Sequence, residues 1–188
     1  MFSYQKRLMY PINIKKKDLK MAKYLVTQYG GPNGELNAAL RYLNQRYTMP
    51  DNKGKALLND IGTEELSHVE MLQTMIYQLT KDASVEELIK AGIGSNYTEH
   101  GMSFFPTDSF GVPYQATFES TGDVLADLYE DMAAEQKART VYENLIDMTN
   151  DPDILGPLLW LRQREIVHFN LFKELLEHYK SNLKWLLF

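Results

Sequence analysis

Residues 65–68, Glu65-Leu66-Ser67-His68, and residues 165–168, Glu165-Ile166-Val167-His168, spell one pattern, Glu-x-x-His, 100 positions apart. In a helix, residues three apart share a face, so a carboxylate and an imidazole at this spacing reach the same ion. One copy means little, because glutamate and histidine are common on solvated faces. Repetition makes the pattern informative. Glu35 precedes Glu65 by 30 residues, and Glu135 precedes Glu165 by the same 30. The 100-residue offset links Glu35 to Glu135, Glu65 to Glu165, His68 to His168 and Tyr42 to Tyr142. The chain thus reads as a pseudo-twofold repeat in which each half supplies one half of a site.

Outward from these residues the apolar spacing is helical. A short helix is expected from about Asp18 to Tyr29, with Leu19, Ala22, Leu25, Val26 and Tyr29 inward and Gly30-Gly31 as its stop. The first long helix is expected from Pro32, a first-turn proline, to Tyr47, with Leu36, Ala39, Leu40 and Leu43 inward. The second follows a very short turn, from about Asp51 to Leu79, so the two are antiparallel neighbours. Ser84-Val85-Glu86-Glu87 is a capping box opening a small helix that stops at Gly92. Residues 93–122 are irregular and rich in Gly, Ser, Thr, Phe and Pro, which marks a crossover. The third long helix runs from about Asp123 to Met148, and the fourth from about Asp153 to Tyr179 after the turn Asn150-Asp151-Pro152. Two helical hairpins joined by one long connection define an all-α, ferritin-like four-helix bundle with a short extra N-terminal helix. The organisation expected is one domain over 1–188, with an N-terminal arm (1–17), the crossover (93–122) and a C-terminal tail (181–188) ending in an apolar cluster.

Placed on these helices, Glu35, Glu65, His68, Glu135, Glu165 and His168 fall among inward apolar positions. Six ionisable side chains in a core are costly unless a cation compensates them. Carboxylate-bridged dimetal bundles have this composition, with one Glu from each of two helices and Glu-x-x-His from the other two. Glu64, Glu70, Asp127, Glu130 and Asp131 lack an acidic counterpart at the offset and are read as solvated; His100 and His178 are read as surface or loop residues. Arg41 and Arg139 lie near the proposed carboxylates, either balancing them or forming ordinary salt bridges.

Composition narrows the function classes. The 188 residues carry a net charge of −5 with no dense basic stripe, which argues against nucleic-acid binding. No cysteine is present, so thiolate metal sites and thiol nucleophiles are excluded. The N-terminus has no continuous apolar run of a secretory signal, and no stretch approaches the ~20 apolar residues of a membrane span. Oxygen and nitrogen ligands without sulfur suit manganese or iron, and ligand type does not choose between them. A metal store, a peroxide-decomposing enzyme and an oxygen-activating enzyme all fit these residues.

The runs Tyr29-Gly30-Gly31-Pro32-Asn33-Gly34-Glu35-Leu36, Asp60-Ile61-Gly62-Thr63-Glu64-Glu65-Leu66-Ser67-His68-Val69-Glu70-Met71, Ala133-Ala134-Glu135 and Arg164-Glu165-Ile166-Val167-His168 resemble the manganese catalase family over nearly the whole chain. The stretch Ala39-Leu40-Arg41-Tyr42-Leu43-Asn44-Gln45-Arg46-Tyr47 and the short length are similar to the CotJC-type manganese catalases of bacterial spore coats. The resemblance implies disproportionation of hydrogen peroxide by two manganese ions, with localisation in a spore coat among other coat proteins. It implies that Glu65 bridges both ions, that Glu35 and His68 complete one metal, and that Glu135 and His168 complete the other. Glu165 is then a proton-moving carboxylate beside the open position rather than a ligand. Tyr42 is expected to hydrogen-bond Glu35, and Tyr142 to do the same for Glu135. Family members are typically hexamers, so self-association is expected, with the arm, the crossover or Trp185–Phe188 at contacts. Two departures stand out: Ala134 replaces an arginine that some members carry before the third-helix glutamate, and longer members have a C-terminal extension beyond the position of Phe188. The alternatives are a structural coat protein that retains a metal site, and a di-iron oxidase or peroxidase in which Glu165 is a ligand.

Overall fold

The computed structural model describes residues 1–97, 104 and 119–182. The helices are α1 (Leu19–Gly30), α2 (Glu35–Gln45), α3 (Asn52–Thr80), α4 (Val85–Ala91), α5 (Val124–Asp147) and α6 (Pro152–Asn182), with a 3-10 turn at Gly94–Asn96. The helix α2 packs on α3, α5 packs on α6, and α1 lies against α3, giving the all-helical ferritin-like architecture. No helix among the described residues is long and apolar enough to cross a membrane.

The starts are chemically marked. Asp18, Asp51 and Asp123 each accept first-turn backbone N–H groups of α1, α3 and α5, which would otherwise be orphaned. Ser84 and Glu87 complete the expected capping box of α4, and Gly92 ends that helix at φ 76°. Pro152 opens α6, where its missing N–H costs nothing.

The start of α2 differs from expectation. Pro32 belongs to a turn, and the helix begins three residues later at Glu35 with Gly34 as its N-cap. A Cβ at Gly34 would sit 2.8–2.9 Å from the carbonyl of Gln28 and the amides of Gly30 and Gly31, so only glycine lets the chain double back here. Asn37 Nδ2 locks the turn by donating to the Gly31 carbonyl at 2.9 Å. Burial on α2 also shifts: Glu35, Asn37, Ala39, Arg41, Tyr42 and Gln45 are buried, whereas Leu36, Leu40 and Leu43 are half-buried. Polar side chains face the bundle because they have partners there.

Two apolar clusters make the core. One gathers Met21, Leu25, Leu72, Met75, Ile76, Leu79, Leu158 and Leu161; the other gathers Tyr42, Leu58, Ile61, Leu128, Phe172, Leu175 and Tyr179. On α3, Glu65 and His68 fall between Ile61 of one cluster and Leu72 of the other. On α6, Glu165 and His168 fall likewise between Leu161 and Phe172. The repeated motif therefore forms a polar layer sandwiched between two dry ones. At Gly62, a Cβ would lie 2.9 Å from Leu43 Cγ and 3.2 Å from the Ala39 carbonyl, so this glycine brings α2 close to α3 just before the layer.

The N-terminal arm runs along α3: Phe2 N–H reaches Asp60, Ile14 N–H donates to Gln78 Oε1 at 2.6 Å, and Gln78 Nε2 donates to the Ile12 carbonyl at 3.2 Å. Most of the crossover and the Leu183–Phe188 end of the tail lie outside the described residues.

Candidate metal centre

All six repeated residues meet. Glu35 is the first residue of α2, Glu65 and His68 come from the middle of α3, Glu135 from α5, and Glu165 and His168 from α6. Each is at most 2% exposed. Glu65 is central: its Oε2 lies 2.7 Å from His68 Nδ1 and its Oε1 lies 2.8 Å from His168 Nδ1. Glu35 Oε2 lies 3.5 Å from His68 Nδ1, and Glu135 Oε2 lies 3.6 Å from His168 Nδ1. Glu165 stands back, 3.9 Å from His68 Nδ1. The imidazoles stack with ring centroids 5.6 Å apart, and Trp160 packs edge-on to His68. Two overlapping quartets result, Glu35-Glu65-His68-Glu165 and Glu65-Glu135-Glu165-His168, each with potential ligand atoms within 4.8 Å of one another.

The two tyrosines cross over relative to expectation. Tyr42 donates to Glu135 Oε1 at 2.5 Å, and Tyr142 donates to Glu35 Oε1. Each tyrosine follows one glutamate by seven residues along its own helix, yet its hydroxyl reaches across the bundle to the glutamate of the other hairpin. The ring spans the interhelical gap, which sequence spacing along one helix cannot reveal. Gln28 Nε2 of α1 also reaches Glu35 Oε1, at 3.4 Å.

Glu64 is the largest correction. Read from sequence as solvated, it is 5% exposed and faces both imidazoles from behind. Its Oε1 lies 3.6 Å from His68 Nε2, and its Oε2 lies 3.4 Å from His168 Nε2. Arg164 clamps the same carboxylate, donating from Nε at 2.6 Å and Nη2 at 3.1 Å. Such a carboxylate fixes ring orientation and tautomer, leaving Nδ1 of each ring aimed at Glu65.

Asp127 and Asp131 are also buried rather than solvated. Asp127 accepts from Thr121 N and Oγ1 at 2.8 and 2.7 Å and from Gly122 N at 3.1 Å, tying the end of the crossover to α5. Asp131 sits beside Gln45 and Arg41, and burial pushes its carboxyl well up. Glu70 and Glu130 remain partly exposed, and Glu130 pairs with Lys137 at 3.2 Å. Arg139 binds Gln136 and Glu143 rather than the central carboxylates. His178 is a partly exposed residue 3.7 Å from Asp51, while His100 lies outside the described residues.

The electrostatics follow from burial and crowding. Burial opposes ionisation of Glu35, but the adjacent His68, Glu65 and Tyr142 hydroxyl outweigh it and hold the carboxyl at about 2. Burial pushes Glu65 up to about 7. Burial, then the charges of Glu35, Glu135 and Glu65, push Glu165 well above the carboxylate range. Burial disfavours the charged imidazoles, yet Glu65 and the neighbouring carboxylates raise both His68 and His168.

The donor set fits a metal pair. Both oxygens of Glu65, Nδ1 of His68 and of His168, Glu135 Oε2 and Glu165 Oε1 make no hydrogen bond with protein groups in the described structure. Buried polar atoms left this way are expensive unless something coordinates them. The four carboxylates of the quartets carry four negative charges when ionised, which two divalent cations would balance. Oxygen and imidazole donors without sulfur suit manganese or iron.

Comparison with known proteins agrees with this geometry. The chain is 52% identical over 182 residues to Protein CotJC of Bacillus subtilis (strain 168), covering 96% of each chain. It is 36% identical to a probable manganese catalase of Clostridium acetobutylicum, covering 96% of this chain and 82% of that protein. The crystal structure of KatB, a manganese catalase from Anabaena, superposes with a TM-score of 0.85 at 33% identity, covering 100% of this chain and 84% of that one. The family model described as manganese containing catalase matches residues 1–187. The chain belongs to the manganese-containing catalase family.

Proposed function

We propose that this protein disproportionates hydrogen peroxide to water and oxygen at a site for two manganese ions per chain, which Glu65 would serve in common. The observation that carries the reading is the position of Glu65, with one oxygen toward each histidine Nδ1 at 2.7 and 2.8 Å. Glu35 and His68 would then hold one ion, and Glu135 and His168 the other, while Glu165 would handle protons.

When bound, the manganese pair supplies a store of two electrons, taken from one peroxide molecule and passed to another. The chain's residues do the rest. The peroxide that is oxidised loses two protons with its two electrons and leaves as oxygen. The peroxide that is reduced gains two electrons and two protons as its O–O bond breaks, giving two waters. Glu165 Oε1 makes no hydrogen bond among the described residues, and Glu165 lines a small cavity between α2 and α5 at the centre, so it can take protons from one peroxide and return them to the next. Tyr42 and Tyr142 hold Glu135 and Glu35 by one oxygen each and leave the other for metal. Glu64 and Arg164 keep the histidine rings in register.

Placement in a spore coat and assembly into a hexamer belong to the same reading, supported by the likeness to CotJC and to the family. The first experiment measures metal content and oxygen evolution on protein purified without chelator. About two manganese ions per chain with oxygen release is the expected result. Two irons with better turnover on iron would favour the oxidase reading, and metal without oxygen release the structural one. Glu165→Gln separates these further: loss of rate with metal retained is expected, whereas loss of metal would make Glu165 a ligand.

A further inference from the structure

We propose that Arg41 is an electrostatic filter on the passage to the metal centre, admitting neutral peroxide and small anions while slowing metal cations in both directions. The proposal rests on the metal-site reading above but not on turnover. A narrow cavity of ≈ 10 Å³, room for about one water-sized molecule, lies between α2 and α5. Its outer lining includes the exposed Pro32 and Asn33, and its inner lining is Glu35, Glu135 and Glu165. Gly34, Ala38, Ala134 and Ala138 supply small side chains along it, so the two helices leave a gap rather than interlocking. Arg41 and Tyr42 complete the wall.

Arg41 is the cation in that wall; Glu130 and the buried Asp131 on α5 feel its charge from beyond ion-pair distance, and burial pushes Asp131 toward its neutral form. Arg41 is 2% exposed, and its Nε makes no hydrogen bond in the described structure. Its ion-pair partner is Glu119, whose Oε2 is 3.7 Å from Nη2 and whose side chain is 57% exposed. A pair of that length with a solvated partner screens only part of a buried charge. Within a passage walled by low-dielectric helix, one fixed charge alters the local concentration of small ions by tenfold or more. Peroxide is neutral and passes; a divalent cation meets repulsion.

A packing role alone would give a different result. Metal-free, full-length protein is mixed with manganese(II), and uptake is followed by loss of the free-ion paramagnetic resonance signal. Release is followed by transfer to EDTA. Arg41→Gln is expected to speed both uptake and release about tenfold, with final manganese content unchanged. Arg41→Lys, which keeps the charge, is expected to stay near wild type. Glu119→Gln removes the screening acid and is expected to slow uptake, a readout available even if Arg41→Gln folds poorly. Azide, a small anion, is expected to bind the manganese-loaded Arg41→Gln protein several-fold more weakly. Exchange rates within twofold of wild type in both Arg41→Gln and Glu119→Gln would overturn the filter, as would equal changes in Arg41→Lys and Arg41→Gln. Wild-type protein that takes up no manganese would instead sink the metal-centre reading and the filter with it.

Discussion

Replacing Glu64 by glutamine should weaken manganese binding without removing any proposed ligand. The carboxylate accepts two hydrogen bonds from Arg164, at 2.6 and 3.1 Å, and faces the Nε2 atoms of His68 and His168 at 3.6 and 3.4 Å. Glutamine keeps the shape but has only one oxygen. Whichever way its amide is turned, an NH2 group points at Arg164 or at an imidazole Nε2–H, so a donor meets a donor. The basicity that the carboxylate lends both rings is lost as well. Partners of this kind typically account for 10–100-fold in metal affinity, which corresponds to about 1.4–2.8 kcal/mol. Because one carboxylate serves both histidines, both ions should be affected, and the upper half of that range is expected. The assay is competition for manganese against a chelator of known affinity, on folded wild-type and Glu64→Gln protein at one pH, with helicity checked by circular dichroism. An affinity within about twofold of wild type would refute the argument that Glu64 organises the site. Loss of one ion with the other unaffected would refute its equal service to the two rings.

Other expectations follow from the same geometry. Tyr142→Phe removes the hydroxyl that holds Glu35 and should weaken one manganese ion by about tenfold, since hydrogen bonds to charged groups are worth roughly 1.5–3 kcal/mol; two-site metal titration that shows both ions equally weakened, or neither, would contradict it. In metal-free protein, His68, His168, Glu65 and Glu165 have raised values, so above pH 4.5 the folded chain binds more protons than the unfolded one and stability falls as pH rises. Glu35 and Glu64 have lowered values and act oppositely, giving stability that is lost as pH falls below 4.5, so metal-free Tm should peak near pH 4.5 and decline toward pH 8. Manganese reverses the upper limb, because it competes with those protons; a metal-free Tm that rises from pH 6.5 to pH 8 would contradict this. Gly34→Ala places a methyl group 2.8–2.9 Å from three backbone atoms, and should displace Glu35 and cost one manganese ion per chain while circular dichroism shows the helices retained.

Much of the architecture was legible because it depends on periodicity and on strong local signals. Aspartate caps, a capping box and prolines mark helix starts by chemistry that acts within one turn, and those starts were placed to within about a residue. The start of α2 was not, since Pro32 satisfies the local rule for a first-turn proline while the turn is governed by Gly34 approaching the backbone of Gln28 and Gly30. That approach is tertiary, and no local rule carries it. The crossed tyrosines were missed for the same reason: a side chain as long as tyrosine chooses its partner across the gap, not along its own helix.

Glu64 was hidden by the very pattern that revealed the other six residues. A search for like residues 100 apart finds pairs that are copies of each other. Position 64 has its partner at that offset too, but the partner is Arg164, a complement rather than a copy, and the two meet in a bidentate pair. The pseudo-symmetry thus brings residues 64 and 164 together in space while their charges break it. That asymmetry has a consequence for the adjacent glutamates. Glu65 sits centrally against both histidines, opposite the face that Glu64 supports, whereas Glu165 is 3.9 Å from His68 Nδ1 and lines the cavity. An arginine at position 164 cannot hold two imidazole Nε2–H groups by accepting from them, so only the first half of the repeat can support the rings. The repeat therefore sets one glutamate between the two histidines and the other on the cavity wall, from two copies of the same four-residue motif.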